Sequence, residues 1–263
     1  GLAASLLARR RRRAALANLA LALGAERSER ERRRIHRECW RHYGRVFADT
    51  LGFARLGPDS PAELIEYEGL DHLRRAYALG RGVLVASGHF GHWELAGLMQ
   101  GYVGLPLVLV TRPLDNPHLE RVVAELRGGS GNRILYKRNA LKDMLRAVRA
   151  GAGVSVMFDQ NVRHGGVFVR FFGRPASTTP ALGVIALRTG AIVIPSYSLP
   201  LPRGRWRVVY LPPVEVPRSP DLTANVLALT QTCTDLLEGW VRQNPELWLW
   251  MHERWKTAPP AES

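Results

Sequence analysis

One short segment places a histidine close to a carboxylate: Gly88-His89-Phe90-Gly91-His92-Trp93-Glu94. It follows the apolar run VLVAS at residues 83–87 and precedes a helical pattern, which indicates a turn between a buried strand and a helix. A histidine is suited to remove a hydroxyl proton near neutral pH, and a carboxylate on its other ring nitrogen stabilises the imidazolium that forms. The spacing therefore predicts His89 as a general base with Glu94 as its partner.

The other residues of this turn have predicted roles as well. Gly88 and Gly91 leave room where a substrate must approach the backbone, and a helix that begins near Trp93 can direct N–H groups at developing negative charge. His92 is interpreted as a packing residue. A metal site on His89, His92 and Glu94 is disfavoured, because the helical HExxH arrangement and a distant third ligand are missing. No metal is expected.

The elements that must position this turn alternate from residue 65 onward in the order βαβαβαβ. Such alternation predicts an α/β fold with a central, largely parallel sheet covered by helices, and its ligands should bind beyond the carboxyl ends of the strands. His89 and Asp159 both directly follow predicted strands. Residues 163–178, rich in glycine and aromatic residues, are interpreted as a loop, and residues 222–240 as a helix.

The first 24 residues are basic and rich in alanine and leucine, with arginines at positions 9–13. One interpretation is an interfacial helix whose leucines, Leu6, Leu16, Leu19 and Leu23, enter the acyl boundary of a membrane. The other is a solvated helix with its apolar face on the core. Ser28 with Glu31 forms a capping box that begins a second helix. We expect residues 1–50 to form a basic helical segment and residues 51–263 the main domain.

The chain is strongly basic, with 37 Lys and Arg, 23 Asp and Glu and a formal net charge of +14. This charge predicts attraction to a polyanion but does not choose between nucleic acid, an anionic lipid surface and an acidic carrier protein. No run of about 18 uncharged apolar residues is present, so no segment is predicted to span a bilayer. Cys39 and Cys233 lack a CxxC partner and are interpreted as buried apolar residues.

The segment GHFGHWELAG resembles the HX4(D/E) motif of glycerolipid acyltransferases, in the Glu form of the bacterial lipid A late acyltransferase (lauroyl/myristoyl) family. Further blocks resemble the same family in order: TRPLDNPHLERVVAELR, ILYKRNALKDMLRAVRAGAGVSVMFDQN, GVFVRFFGRPASTTP, ALRTGAIVIPSY and PELWLWMHERWK. The resemblance extends from about Arg27 to Lys256. Two positions depart from it, since His92 stands where the family often has Asn and Arg170 where Pro is frequent.

The resemblance implies a glycerolipid-acyltransferase-like fold and an O-acyltransferase without a cofactor, in which His89 and Glu94 are the catalytic dyad. It also implies a substrate-binding site that includes a clamp residue, Arg112, and a loop that holds the acceptor. The implied substrate-binding residues are Arg112, Asn116, Asp159, Gln160, Gly165, Gly166, Phe172 and Gly173.

The family further implies the partners. The donor would be an acyl carrier protein thioester or acyl-CoA, and the acceptor a hydroxyl of a lipid A precursor that bears phosphates. The protein would act at the cytoplasmic face of the bacterial inner membrane, against an anionic surface, either peripherally or with an N-terminal anchor that precedes this chain. Nucleic acid is not an expected partner.

Three other hypotheses stay open at this point. The same chemistry could act on a phosphatidylinositol mannoside, an ornithine lipid or a lysophospholipid. A non-catalytic basic protein that binds membranes or nucleic acid would show salt-dependent binding that survives the loss of His89 and Glu94. A metal-dependent hydrolase would lose its activity with a chelator.

Overall fold

A seven-stranded sheet forms the centre of the fold in a computed structural model that describes residues 8–53, 64–113, 116–136 and 140–260. Its strand order is β1-β9-β8-β2-β5-β3-β4, and all neighbours are parallel except β8 and β9. The strands are β1 (Ile65–Glu68), β2 (Val83–Ser87), β3 (Leu107–Thr111), β4 (Arg133–Tyr136), β5 (Gly153–Met157), β8 (Ile192–Pro200) and β9 (Trp206–Tyr210). The predicted largely parallel α/β sheet is confirmed.

Helices cover both faces of this sheet. Their bounds are α1 (Arg9–Leu23), α2 (Glu29–Phe53), α3 (Leu70–Ala78), α4 (Trp93–Tyr102), α5 (Pro117–Gly129), α6 (Ala140–Arg149), α7 (Ala181–Thr189) and α8 (Leu222–Gln243), with short 3₁₀ turns at Pro202–Gly204 and Pro245–Leu247. Within the described ranges, no helix is long and apolar enough to cross a membrane.

Strand β2 shows why the sheet is covered on both sides. Leu84 and Ala86 belong to one hydrophobic cluster and Val83 and Val85 to another, and all four are buried. Since successive side chains of a strand point to opposite faces, the two clusters lie on opposite faces of the sheet. A continuous apolar run is typical of such a doubly covered parallel strand.

The N-terminal helices pack on the same core. Ser28 and Glu31 form the predicted capping box: the Glu31 carboxylate accepts from the Ser28 N–H at 2.8 Å, and the Glu31 N–H donates to Ser28 Oγ at 3.4 Å. In α1, Leu19 and Leu23 are buried in the core, so they are unavailable to a bilayer and the core-packing interpretation is correct for them. Leu16 is half-buried. Leu6 lies outside the described residues, and the boundary at residue 50 stays a prediction.

The interpretation of residues 163–178 as a loop is wrong. The segment contains an antiparallel hairpin of β6 (Val167–Phe171) and β7 (Arg174–Thr178), joined at Phe172 and Gly173 with φ of 52° and 71°. Positive φ at both positions is the requirement of a type I′ turn, which usually carries Asn-Gly. Because Phe172 stands at the first position, the sequence lacks the Asn-Gly pair by which such a turn is recognised. Its conformation is held by the Glu238 carboxylate, which accepts from the Phe172 N–H.

Gly91 is required by its surroundings in the fold. Its φ is +62°, and a Cβ there would lie 2.0 Å from the carbonyl oxygen of Ser198 in β8. Gly104 has a similar φ of +78° with no atom within 4 Å of a built Cβ. Both positions therefore require a positive φ, and only at Gly91 would a Cβ also clash with neighbouring backbone.

We expect Gly91→Ala to lower the free energy of unfolding by at least about 2 kcal/mol more than Gly104→Ala, because backbone strain of about 1–3 kcal/mol is common to both and only Gly91→Ala adds a clash with backbone. Denaturant unfolding of both variants measures the difference. Equal losses would show that the Ser198 carbonyl moves away without cost.

Candidate active site

The turn that carries His89 is held in place by elements distant in sequence. The His89 carbonyl accepts from the Leu249 N–H at 3.1 Å and from the Tyr43 hydroxyl at 2.9 Å. The Gly91 N–H donates to the Leu247 carbonyl at 2.9 Å. Helix α2 and the segment after α8 thus fix the backbone on which the histidine stands.

His89 meets Asp159 because of strand register. Strands β2 and β5 are parallel neighbours in which Ser87 pairs with Met157. His89 follows Ser87 by two positions, and Asp159 follows Met157 by two positions. The two residues therefore meet beyond the carboxyl ends of β2 and β5. The His89 Nδ1 atom lies 2.7 Å from Asp159 Oδ1, and the His89 N–H donates to Oδ2 at 2.7 Å.

The Asp159 carboxylate is buried, with 2% of the residue exposed. Trp248 Nε1 donates to Oδ2 at 2.9 Å, in addition to the two donors of His89. Burial by itself raises the pKa of Asp159, but the charge and hydrogen bonds of His89 outweigh it and lower the pKa to about 2. Asp159 is therefore ionised and bonded to the His89 ring, and the substrate contact expected of it stays a prediction.

The imidazole of His89 is oriented for proton abstraction. Burial lowers its pKa, yet the charge and hydrogen bond of Asp159, followed by the charge of Glu94, more than offset this, so the pKa of His89 is raised above its ordinary value. With Nδ1–H donating to Asp159, Nε2 carries the lone pair. The Gln160 side-chain amide lies 3.2 Å from Nε2, on the open side of the ring.

Glu94 is not the carboxylate on the His89 ring, which corrects the expected pairing. Its Oε1 and Oε2 accept from Arg127 Nη2 at 2.6 Å and from Nε at 3.0 Å, a bidentate ion pair in which the Arg127 side chain is 12% exposed. Arg127 Nη1 also donates to Thr111 Oγ1 at 3.2 Å, at the end of β3. Glu94 therefore ties α4 to α5 and β3, and it acts on His89 through its charge.

His92 and Gly88 have internal roles. His92 is fully buried and caps α4, since its Nδ1 accepts from the Leu95 N–H at 3.2 Å. Burial lowers the pKa of His92 to about 3, so the ring is neutral. A Cβ on Gly88 would lie 3.0 Å from Leu237 and 3.1 Å from the Asp159 carboxylate. Gly88 and Gly91 therefore make room for the protein itself, where the sequence suggested room for substrate.

Arg112 and Asn116 lie beyond the end of β3, at the same edge of the sheet as His89. Arg112 is exposed and directly follows the strand. The Asn116 side chain accepts from the His118 N–H at 2.9 Å, and its carbonyl accepts from the Glu120 N–H at the start of α5. Asn116 thus begins α5, and the substrate contacts of both residues stay predictions.

The four expected acceptor-loop residues are spread along the β6–β7 hairpin. Gly165 is exposed, and a Cβ on Gly166 would lie 2.3 Å from Ser177 Oγ. Phe172 and Gly173 occupy the opposite end, where the Phe172 ring is buried against Trp250 and under the Arg242 guanidinium, 4.7 Å from the ring centroid. Phe172 is a packing residue here, and acceptor binding by Gly165, Gly166 and Gly173 stays a prediction.

Sequence reasoning gave no role in the site to Tyr43, Arg127, Trp248 or Arg254. Three of them, Arg127, Trp248 and Arg254, lie in blocks that carry the family resemblance. Their residue type and spacing nevertheless gave no sign of the contacts they make. Arg254 is 1% exposed, donates to the Ser177 carbonyl at 2.6 Å and is near enough to Asp159 for their charges to attract. Trp248 and Trp250 are also buried.

A charged carboxylate, an oriented imidazole and an accessible Nε2 form an arrangement that removes a proton from a bound hydroxyl. Within the described ranges, the cysteines Cys39 and Cys233 are buried with the pKa of each raised to about 12 by burial, so neither provides a thiolate nucleophile. The chemistry that this site favours is the direct attack of an activated hydroxyl on an electrophile.

Comparison with known proteins agrees with this geometry. A model of the family "Bacterial lipid A biosynthesis acyltransferase" matches residues 1–257. The chain is 30% identical over 263 residues to the lipid A biosynthesis palmitoleoyltransferase of Escherichia coli (strain K12), covering 97% of the chain and 82% of that protein.

Two further relatives have related names. The lipid A biosynthesis lauroyltransferase of Escherichia coli (strain K12) is 30% identical over 89% of the chain and 76% of its own length. A phosphatidylinositol mannoside acyltransferase of Mycobacterium tuberculosis (strain CDC 1551 / Oshkosh) is 26% identical over 81% of the chain and 67% of its own length. The chain belongs to the bacterial lipid A biosynthesis acyltransferase family and is an O-acyltransferase that acts on a lipid acceptor.

Proposed function

We propose that this enzyme transfers a fatty acyl group from an acyl carrier protein thioester to a hydroxyl of a lipid A precursor, with His89 as the general base. The observation that carries the mechanism is the 2.7 Å contact between His89 Nδ1 and Asp159, which places the lone pair of the ring on Nε2 as the proton acceptor. Asp159 replaces Glu94 in our proposal as the carboxylate that orients the ring.

The reaction conserves atoms and protons within one site. Nε2 of His89 removes the acceptor hydroxyl proton while the oxygen attacks the thioester carbonyl, and a C–O bond forms. The tetrahedral intermediate then collapses with cleavage of the C–S bond, and the imidazolium returns its proton to the leaving thiolate. Asp159 stabilises the imidazolium between these two steps.

Two groups are candidates to stabilise the oxyanion of that intermediate. Arg112 stands at the carboxyl edge of the sheet, as His89 does, and the first turn of α4 begins four residues after His89. A guanidinium and helix N–H groups both stabilise developing negative charge. Glu94, paired with Arg127, contributes to the proposed mechanism by raising the pKa of His89 and by holding the start of α4.

The donor and the acceptor are inferred from charge and from the relatives. An enzyme with a net charge of +14 is suited to an acidic carrier protein and to phosphate-bearing lipids at an anionic membrane surface, at the cytoplasmic face of the inner membrane. Acyl-CoA is the alternative donor. The names of the relatives at 30% identity support a lipid A precursor as acceptor, and the relative at 26% identity supports a phosphatidylinositol mannoside as the second candidate.

We expect His89→Ala to lower acyl transfer by on the order of 10²–10⁴-fold, because the acceptor hydroxyl loses its base. Mass spectrometry of lipid A precursors incubated with a panel of acyl carrier protein and CoA thioesters measures the added chain. His72→Ala is the matched control, since His72 lies on α3, which packs against β9 and β8, and its ring contacts Arg75 rather than His89 or Asp159. Near-normal turnover by the His89→Ala enzyme would contradict the mechanism.

The pH dependence of the reaction distinguishes the two candidate carboxylates. The base acts in its neutral form, so kcat/KM falls as the pH decreases through the raised pKa of His89. Asp159→Asn removes the main group that raises this pKa, and we expect the acid limb to move to lower pH. Turnover should fall by on the order of 10²–10⁴-fold, because an asparagine amide favours the wrong tautomer.

Glu94→Gln should move the acid limb less than Asp159→Asn does, because Glu94 acts on the ring only through its charge, and that charge is already paired with Arg127. The pH–rate profiles of the two variants, recorded at equal ionic strength, provide the comparison. A larger shift for Glu94→Gln would restore the His89–Glu94 dyad as the working pair.

A further inference from the structure

A cavity of about 390 Å³ lies between the start of α1 and the segment after α8. It is lined by Arg10, Arg11, Ala14, Gln160, Leu249, Met251, His252 and Glu253. Its volume falls in the range of small-molecule sites, about 300–1,000 Å³. The mechanism proposed above gives no role to Arg10 or Arg11.

The cavity adjoins the proposed base. Gln160 lines it and also contacts His89 Nε2 at 3.2 Å. Leu249, another lining residue, donates its N–H to the His89 carbonyl. A ligand in this cavity therefore lies beside the atom at which the acceptor hydroxyl would bind.

The side chains around the cavity make it positive. Glu253 brings one negative charge, but its carboxylate is paired with Arg10 at 3.3 Å and with Lys256 at 2.8 Å. Arg11 forms no ion pair with any described residue. Burial is the main cause that lowers the pKa of His252, so this ring adds no charge near neutral pH. The net charge of these groups favours an anion.

The arginines are presented by a fixed helix. Asn18, about two turns farther along α1, is buried and donates to the carbonyls of Trp250 and His252 at 2.8 and 2.6 Å. Ala15 and Leu19 are buried beside it. Helix α1 is thus bound to the segment that also holds His89, and its basic side chains face the cavity at a defined position.

A second cavity, of about 640 Å³, continues along α1 and shares Arg10, Ala14 and Glu253 with the first. Arg9, Arg13 and Lys256 stand around it, and its apolar lining comes from Ala14, Ala17, Leu21 and Trp255. The first cavity is suited to an anionic group, and the second adds apolar surface next to it. This combination matches an amphipathic molecule with a charged headgroup.

We propose that Arg10 and Arg11 form a subsite for a phosphate group of a substrate, beside the proton-abstracting atom of His89. A guanidinium matches phosphate geometry with paired hydrogen bonds. The proposal rests on the proposed function, because it assigns the cavity to a substrate of acyl transfer. A phosphate can come from the acceptor lipid or from the prosthetic arm of the acyl donor, and the adjoining apolar surface favours the acceptor.

The test compares Arg11→Gln with Arg12→Gln. Arg12 stands next to Arg11 on α1 and carries the same charge but lines neither cavity. KM is measured for a phosphorylated lipid A precursor at saturating donor, for the same precursor after phosphatase treatment, and for the donor at saturating acceptor, all in neutral detergent. We expect Arg11→Gln to raise KM for the phosphorylated acceptor by roughly tenfold to a hundredfold, as for a lost charge-assisted hydrogen bond.

The pattern of the results identifies the source of the phosphate. An effect that disappears with the dephosphorylated acceptor supports a subsite for the acceptor phosphate, and an increase of KM for the donor alone supports one for the donor phosphate. Equal effects of Arg11→Gln and Arg12→Gln, or no effect of either, would overturn the proposal, because the arginines would then act only through general charge.

A binding measurement separates this proposal from the proposed function. Titration of the phosphorylated precursor in neutral detergent, followed by tryptophan fluorescence because Trp255 lines the adjoining cavity, needs no turnover. Weaker binding to Arg11→Gln than to Arg12→Gln, with no acyl transfer by the unsubstituted enzyme, would retain the phosphate subsite and reject the proposed reaction. Acyl transfer by the unsubstituted enzyme, together with equal binding of the precursor by both variants, would retain the proposed reaction and reject the phosphate subsite.

Discussion

The structure of the site depends on one buried charge. The Asp159 carboxylate is removed from water and stays ionised because of the charge of His89 and the hydrogen bonds that His89 and Trp248 donate to it. Leaving such a group unpaired in the interior costs several kcal/mol, so each donor must be held in place. Strand register, the cap of α4 and the packing of the last tryptophans all serve to keep these donors around one carboxylate.

The sheet and the position of His89 at the end of a strand could be predicted from the sequence, because both signals are local. Apolar runs, glycines and a histidine after a strand can be recognised within a few residues, as at Val83–Ser87 and His89. The carboxylate on the ring could not be recognised in this way. Glu94 is close in sequence, while Asp159 becomes a neighbour only when β5 lies next to β2, and a single sequence does not give strand order.

The same limit explains the other differences. The β6–β7 turn carries Phe172 at a position that usually holds Asn or Gly, because Glu238 on a distant helix accepts its N–H. Leu19, Leu23, Trp248 and Trp250 are apolar side chains of a kind that can also face a membrane, yet all four are buried in one hydrophobic cluster. Composition shows that these side chains avoid water, and only the tertiary structure shows what covers them.

The segment after α8 has a consequence for synthesis on the ribosome. Leu249 holds the His89 carbonyl, Trp248 holds Asp159, and the carbonyls of Trp250 and His252 anchor α1. A nascent chain that has completed every strand of the sheet still lacks these residues, so the His89 carbonyl has no bond from Leu249 and the Asp159 carboxylate has none from Trp248. The hydrogen bonds of the site are therefore complete only after residues 248–252 have been synthesised.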